Sequence, residues 1–278
     1  MAIIISLPVS LLLLWLVLRP KKVDPFPRGG LRRLLVAGAV CTLAAGILYA
    51  VLAAALVLIR IGPDTAREIF RLLRDDPAAA AELMDSLRAS LSARTPLWTL
   101  FTTFVTAGLL EELCKYFACR AVIDRKKEMV STWMDAVICF AVVAIVFEFL
   151  ENLLYSGENG VVTAIIRNLT PLHFCCGVIM GWYFGKSLVT GEKKYRRASV
   201  LVPTLIHTLY DTALNLMPVD ESAEELSTGD FLFILLGLLA FLAAMILSIV
   251  VAVKLVRWQK KGMLNVPVQQ EPVRSGEK

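Results

Sequence analysis

Apolar residues gather into seven runs along this chain: 2–18, 34–59, 97–117, 132–155, 162–188, 200–217 and 231–253. At ~1.5 Å per residue, each is about long enough to cross the ~30 Å hydrocarbon core of a bilayer. The pattern predicts an all-α fold: a polytopic membrane helical bundle with about seven transmembrane helices. Residues 62–95 are the one substantial polar insertion. Within it Thr65 and Glu68 have capping-box spacing, and Asp76-Pro77 reads as an N-cap followed by a first-turn proline. Leu83, Leu87 and Leu91 then mark an apolar stripe, so two short amphipathic helices are expected on the outer, extracytoplasmic surface. The chain thus divides into the first two membrane helices (1–61), the amphipathic insertion (62–95), a four-helix core (96–217), and a last membrane helix with a cytoplasmic tail (218–278).

Charge fixes an expected orientation. Residues 19–33, 120–127 and 186–197 are rich in Lys and Arg, whereas the stretches around Asp75, Glu158 and 220–225 are acidic or mixed. With seven spans and the N-terminus outside, every basic loop falls on the cytoplasmic side and every acidic one opposite. The first run has its basic residues after it, the reverse of a signal peptide, so it reads as a retained helix. Composition agrees: 57% of residues are hydrophobic and 19% charged, against about 45–50% and about 25% in soluble domains. The net charge of +5 sits in short inter-span clusters, a topology signal and not a nucleic-acid surface. Six cysteines lie in or beside apolar runs without a CxxC pair; they read as small hydrophobes, and no disulfide is expected. Gly38, Thr42, Gly46 and Ala50 repeat at four-residue spacing, a stripe suited to close helix contact.

An ionisable side chain at the bilayer centre costs at least ~2.5–3.5 kcal/mol, and four consecutive spans carry several. The third has Glu111, Glu112 and Lys115, the fourth Glu148 and Glu151, the fifth His173, and the sixth His207 and Asp211. Both histidines of the chain are among them. The four spans are therefore expected to surround one polar cavity. Glu111 and Lys115 share a helix face, and Glu112, about 100° round, is expected to point elsewhere. Glu148 and Asn152 share another face and could bond each other. His207 and Asp211 are one turn apart, so the carboxylate can fix the imidazole tautomer. Gly177 and Gly181 follow His173 at four-residue steps and are expected to clear room for a substrate backbone.

Such a set suits hydrolysis of a peptide bond, which needs an activated water, an oxyanion holder and a proton donor for the leaving amine. A buried glutamate can act as base and then acid. Alternatively His173, His207 and Glu151 supply a His₂Glu set for Zn²⁺, leaving Glu111 or Glu112 as base. HExxH, GxSxG and GxGD motifs are absent. A proton-coupled transporter is a rival reading, although no internal repeat supports it. A non-catalytic membrane scaffold is another.

Four motifs stand in order on successive spans: EExxK at Glu111–Lys115, FxxxE at Phe147–Glu151 followed by Asn152, HxxxG at His173–Gly177, and HxxxD at His207–Asp211. The series resembles the PrsW family of bacterial intramembrane proteases, distant relatives of the CAAX prenyl proteases and bacteriocin-immunity membrane proteins. The CAAX-type relatives typically show EExxxR where this chain has EExxK, which favours the PrsW branch. The resemblance covers about residues 97–217. It implies a bacterial cytoplasmic-membrane enzyme that cleaves a single-pass, membrane-anchored regulator of the anti-sigma-factor kind. It assigns catalysis to Glu111 and Glu112, completed by Glu151, His173 and His207. Lys115, Glu148, Asn152, Gly177 and Asp211 would support them. The cofactor stays open between none and Zn²⁺.

Overall fold

The computed structural model describes residues 2–22, 26–91, 96–217 and 228–268. The acidic stretch 220–225 lies outside them, and so do the side chains of Glu158 and Leu91. Among these residues the regular structure is helical, apart from one isolated bridge between Thr132 and Pro267: α1 (Ala2–Leu18), α2 (Gly30–Asp75), α3 (Pro77–Leu91), α4 (Pro96–Thr103), a π-helical turn (Phe104–Leu109), α5 (Leu110–Arg125), α6 (Trp133–Leu169), α7 (Leu172–Thr190), α8 (Lys193–Asn215) and α9 (Thr228–Lys261).

Six helical stretches among the described residues are long and apolar enough to cross a membrane. The expected seventh, 200–217, is present as α8. At 23 residues it spans about 34 Å, but its hydropathy is lowered by the polar face it turns inward. That face buries Ser199, Thr204, His207, Thr208 and Thr212.

The core is built around α6. Residues 134–145 are buried on every side, as a helix apolar all round must be, and α1, α2, α5 and α7 pack against it. Thr132 and Asp135 form a reciprocal capping box at its start, with Lys21 paired to Asp135 at 2.7 Å. The chain beyond α9, expected only as a tail, returns here. Trp133 and Met134 donate backbone N–H bonds to the carbonyls of Val266 and Leu264, covering amide groups that a helix start leaves open. The outer helices show their leucines and isoleucines to the lipid, as α9 does with Phe231, Leu235, Leu239, Leu242, Ile246 and Ile249.

The insertion forms two helical segments, as expected. Its first begins earlier than the Thr65–Glu68 spacing suggested: α2 breaks at Gly62, whose φ of 80° and ψ of 164° suit only glycine. Pro63 starts the next turn, so Thr65 is interior and Glu68 pairs with Arg71 instead. Asp76 does cap α3, accepting from the Ala79 N–H at 3.2 Å. The glycine stripes serve packing only in part. Gly38 lies against Val143 and Val146 of α6, whereas a Cβ at Gly46 would meet nothing within 4 Å among the described residues. Gly177 and Gly181 clear no path for substrate: their faces are filled by Phe140, Ala141, Ala144, Ala136 and Val137 of α6. All six cysteines are free.

Candidate active site

The π turn decides where the paired glutamates point. A π turn holds an extra residue, rotates everything after it relative to a continuous α-helix, and occurs often at functional sites. Here it ends one residue before Leu110, with Glu111 and Glu112 in the first turn of α5. Thr106 in this turn donates its hydroxyl to the Thr102 carbonyl at 2.8 Å. Gly108 lets the turn lie directly on α8, because a Cβ there would collide with the Thr208 hydroxyl and approach the Thr204 carbonyl. Gly108→Ala is therefore expected to lower stability by about 1–3 kcal/mol through overpacking. Thermal unfolding in detergent checks this, and Thr208→Ala in the same chain should recover part of the loss.

Four helices deliver their polar residues to one place. Lys115, 2% exposed, does not reach for solvent. Its ammonium donates to Glu112 Oε1 at 2.7 Å and to His173 Nδ1 at 2.7 Å, and lies 4.1 Å above the Phe147 ring. Glu112 thus does not point elsewhere. Three residues from Lys115 it is the closer partner, while Glu111 Oε2 stands 3.6 Å from the ammonium. Glu112 Oε1 also accepts from His207 Nδ1 at 3.1 Å, and His207 Nε2 meets Asp211 Oδ2 at 3.1 Å. The two imidazoles stand edge to face, 4.8 Å apart.

Because an ammonium only donates, His173 Nδ1 must accept from Lys115 and its proton sits on Nε2. That N–H donates to Glu151 Oε2. Glu148 does not bond Asn152; its Oε2 accepts from the Phe174 backbone N–H at 2.9 Å. It therefore caps the first turn of α7, which carries His173. Asn152 Oδ1 accepts instead from Arg167 Nε at 2.7 Å, and Arg167 Nη2 donates to Glu151 Oε2 at 2.6 Å.

Arg167 was not evident from the sequence. It stands fifteen residues after Asn152, about 22 Å away along a straight helix, so only a bend in α6 brings them together. Its signal in the sequence was a further ionisable residue within the run 162–188, six positions before His173. A cavity of about 210 Å³ opens beside the site, with Glu148, Glu151, Arg167, His173, His207 and Asp211 in its wall. Tyr49 of α2 also reaches it, though the first two spans carry no ionisable group of this kind.

Glu111 stands apart within this network. Its Oε2 is buried without a hydrogen bond, and Glu112 Oε2 shares that condition. The oxygen faces His207 Nε2 at 3.9 Å and His173 Nε2 at 4.0 Å. Glu111, His173 and His207 offer ligand atoms within 4.8 Å of one another. A single ion with bonds of about 2.0–2.2 Å can bridge the two shorter separations, and His₂Glu is an established catalytic zinc set. His207 already donates from Nδ1 to a carboxylate, as a metal-bound histidine should. His173 would need its proton moved to Nδ1, and hence a changed contact with Lys115. The convergent acid is Glu111, whereas the expected zinc set named Glu151, which pairs with Arg167 and His173.

A family model described as "PrsW family intramembrane metalloprotease" matches residues 32–248. Among curated proteins, the protease PrsW of Geobacillus kaustophilus is 40% identical over 115 residues, which are 40% of this chain and 51% of that one. Protease PrsW of Bacillus subtilis is 35% identical over 121 residues, 42% and 55% of the two chains. That of Clostridioides difficile is 28% identical over 127 residues, 41% and 52%. The chain spans about half the length of the curated relatives it matches. No solved structure matches it.

Proposed function

The chain belongs to the PrsW family of intramembrane metalloproteases, and from that premise we propose that it hydrolyses a peptide bond in a membrane-anchored protein. The observation that carries this is the unbonded Glu111 carboxylate oxygen, buried between the Nε2 atoms of both histidines. A water placed there meets a base and two imidazoles at once. Glu111 takes its proton as the water attacks the scissile carbonyl, and returns it to the leaving amine. The cavity-lining Arg167 guanidinium, which keeps N–H donors beyond the two it gives to Asn152 and Glu151, is the donor available to the oxyanion. Glu112 and Lys115 fix the two rings without leaving their buried pair. The substrate is a single-pass regulatory protein of the anti-sigma-factor kind, as the family resemblance implies. The N-terminus lies outside and the C-terminus in the cytoplasm, following the basic loops.

The convergence of Glu111, His173 and His207 favours a second version, in which these three hold a divalent ion. When bound, such an ion would polarise the scissile carbonyl and lower the pKa of its water; Glu151 or Glu112 would then be the nearby base. The test is purified protein in liposomes with a single-pass substrate, assayed for the cleaved fragment with and without chelator. In this version chelation is expected to abolish cleavage, zinc to restore it, and elemental analysis to find zinc in the active protein. Full activity in metal-free protein leaves the glutamate version standing alone.

Arg167 has a role in either version. It holds Glu151 and Asn152 together, and in the metal-free version Glu151 in turn accepts a hydrogen bond from the His173 Nε2–H. Arg167→Gln is expected to lower kcat by about 10²-fold, the loss that a misplacement of ~1 Å brings, with the fold retained. Steady-state cleavage kinetics beside a thermal melt would check both halves of that statement.

A further inference from the structure

A second site lies at the basic end of the bundle, outside the polar core. The start of α2 and the end of α5 meet there, tied by the Lys126 ammonium donating to the Arg28 carbonyl at 3.0 Å. Between these helices runs a groove of about 750 Å³ lined by Arg32, Arg33 and Arg125 with Val36, Val40 and Ala121 among its apolar walls. The order of residues along it is the same on both sides. On α2, Arg32, Val36 and Val40 follow at four-residue steps and share one face. On α5, which runs the opposite way, Ala118, Val122 and Arg125 follow at steps of four and three and also share a face. Both stripes therefore have their arginines at the same end and apolar surface over the next two turns. Val36 and Val40 are 55% and 58% exposed.

The charges are also unspent. Arg120 on the same helix pairs with Asp124 at 3.1 Å, yet none of Arg32, Arg33 and Arg125 forms an ion pair with a carboxylate among the described residues. Three guanidiniums at one end of an apolar trough match an amphiphile with an anionic head and a hydrocarbon chain. Basic pockets between membrane helices take phospholipid headgroups in this way, and guanidinium binds phosphate through paired N–H donors. We propose that this groove is a specific site for an anionic phospholipid. Its phosphate would lie against Arg32, Arg33 and Arg125, and one acyl chain along Val36, Val40, Ala118 and Val122. The site rests on none of the residues assigned to hydrolysis.

Native mass spectrometry of the full chain in detergent, titrated with phosphatidylglycerol, cardiolipin or phosphatidylcholine, tests it. Wild-type protein is expected to retain the two anionic lipids in preference to phosphatidylcholine. Arg32→Gln/Arg33→Gln/Arg125→Gln should bind them roughly 100-fold more weakly, at about a tenfold loss for each one to two charges removed. Ala121→Phe, which fills the trough without changing charge, should also lower retention and serves if the triple variant fails to fold. Lys193→Gln/Arg196→Gln/Arg197→Gln, an equal loss of charge elsewhere, should leave retention unchanged. The proposal falls if phosphatidylcholine is held as well as the anionic lipids, if both groove variants bind like wild type, if the control triple loses as much, or if inorganic phosphate alone displaces the lipid.

Discussion

Glu111→Gln is expected to reduce cleavage by about 10³-fold or more while leaving the melting temperature unchanged or slightly raised. The substitution keeps the shape of the side chain and removes only its ability to take a proton or hold a cation. General-base catalysis is worth about 10²–10⁴-fold, and Glu111 is the proposed base in one version and a ligand in the other. Stability should not suffer, because Glu111 Oε2 forms no hydrogen bond and its ion pair with Lys115, at 3.6 Å, is the longer of two. A buried acceptor without a partner is a cost to the fold, and an amide carries it more cheaply than a carboxylate. The check is the rate of fragment release beside the unfolding midpoint of the same preparation. Undiminished cleavage would remove Glu111 from the centre of the site and the proposed mechanism with it.

Glu112→Ala is expected to behave differently, although it stands next in the chain. Its carboxylate is fully buried and accepts from both Lys115 and His207. Removing it leaves the Lys115 ammonium, 2% exposed, without its nearest counter-charge. Breaking one side of a buried ion pair costs about 3–5 kcal/mol, a large share of the 5–15 kcal/mol that stabilises a typical domain. Cleavage should be lost, together with yield and thermal stability. The double variant Glu112→Gln/Lys115→Met separates the two effects. Replacing both partners of such a pair is often neutral or stabilising, so the melting temperature should recover while cleavage does not. If Glu112→Ala melts like the wild type, the buried pair is not the structural tie described above.

The contrast between these two neighbours shows where the sequence is legible. Apolar runs of bilayer length mark the helices because the hydrocarbon core demands them, and the ionisable residues in four consecutive runs stand out because membrane burial is costly. Helical periodicity also places His207 beside Asp211, since the two are one turn apart on a single helix; they meet at 3.1 Å. Periodicity misleads at Glu112. The i,i+4 rule favours Glu111 for Lys115, but a lysine long enough to turn back reaches the i,i+3 carboxylate when His173 approaches from another helix.

What the sequence determined by itself was therefore the all-α membrane class, most helix positions, most of the polar residues of the candidate site and the family those motifs resemble. Each follows from local pattern or from the cost of placing a polar group in lipid. Only the tertiary structure decided which of them meet. The π turn before Glu111, the bend that returns Arg167 to Glu151 and Asn152, and the filling of the Gly177 face by α6 depend on contacts between residues far apart in the chain. Spacing along one helix carries no record of such contacts. For the same reason, the lone oxygen of Glu111 between two histidines becomes visible only once α5, α7 and α8 are packed together.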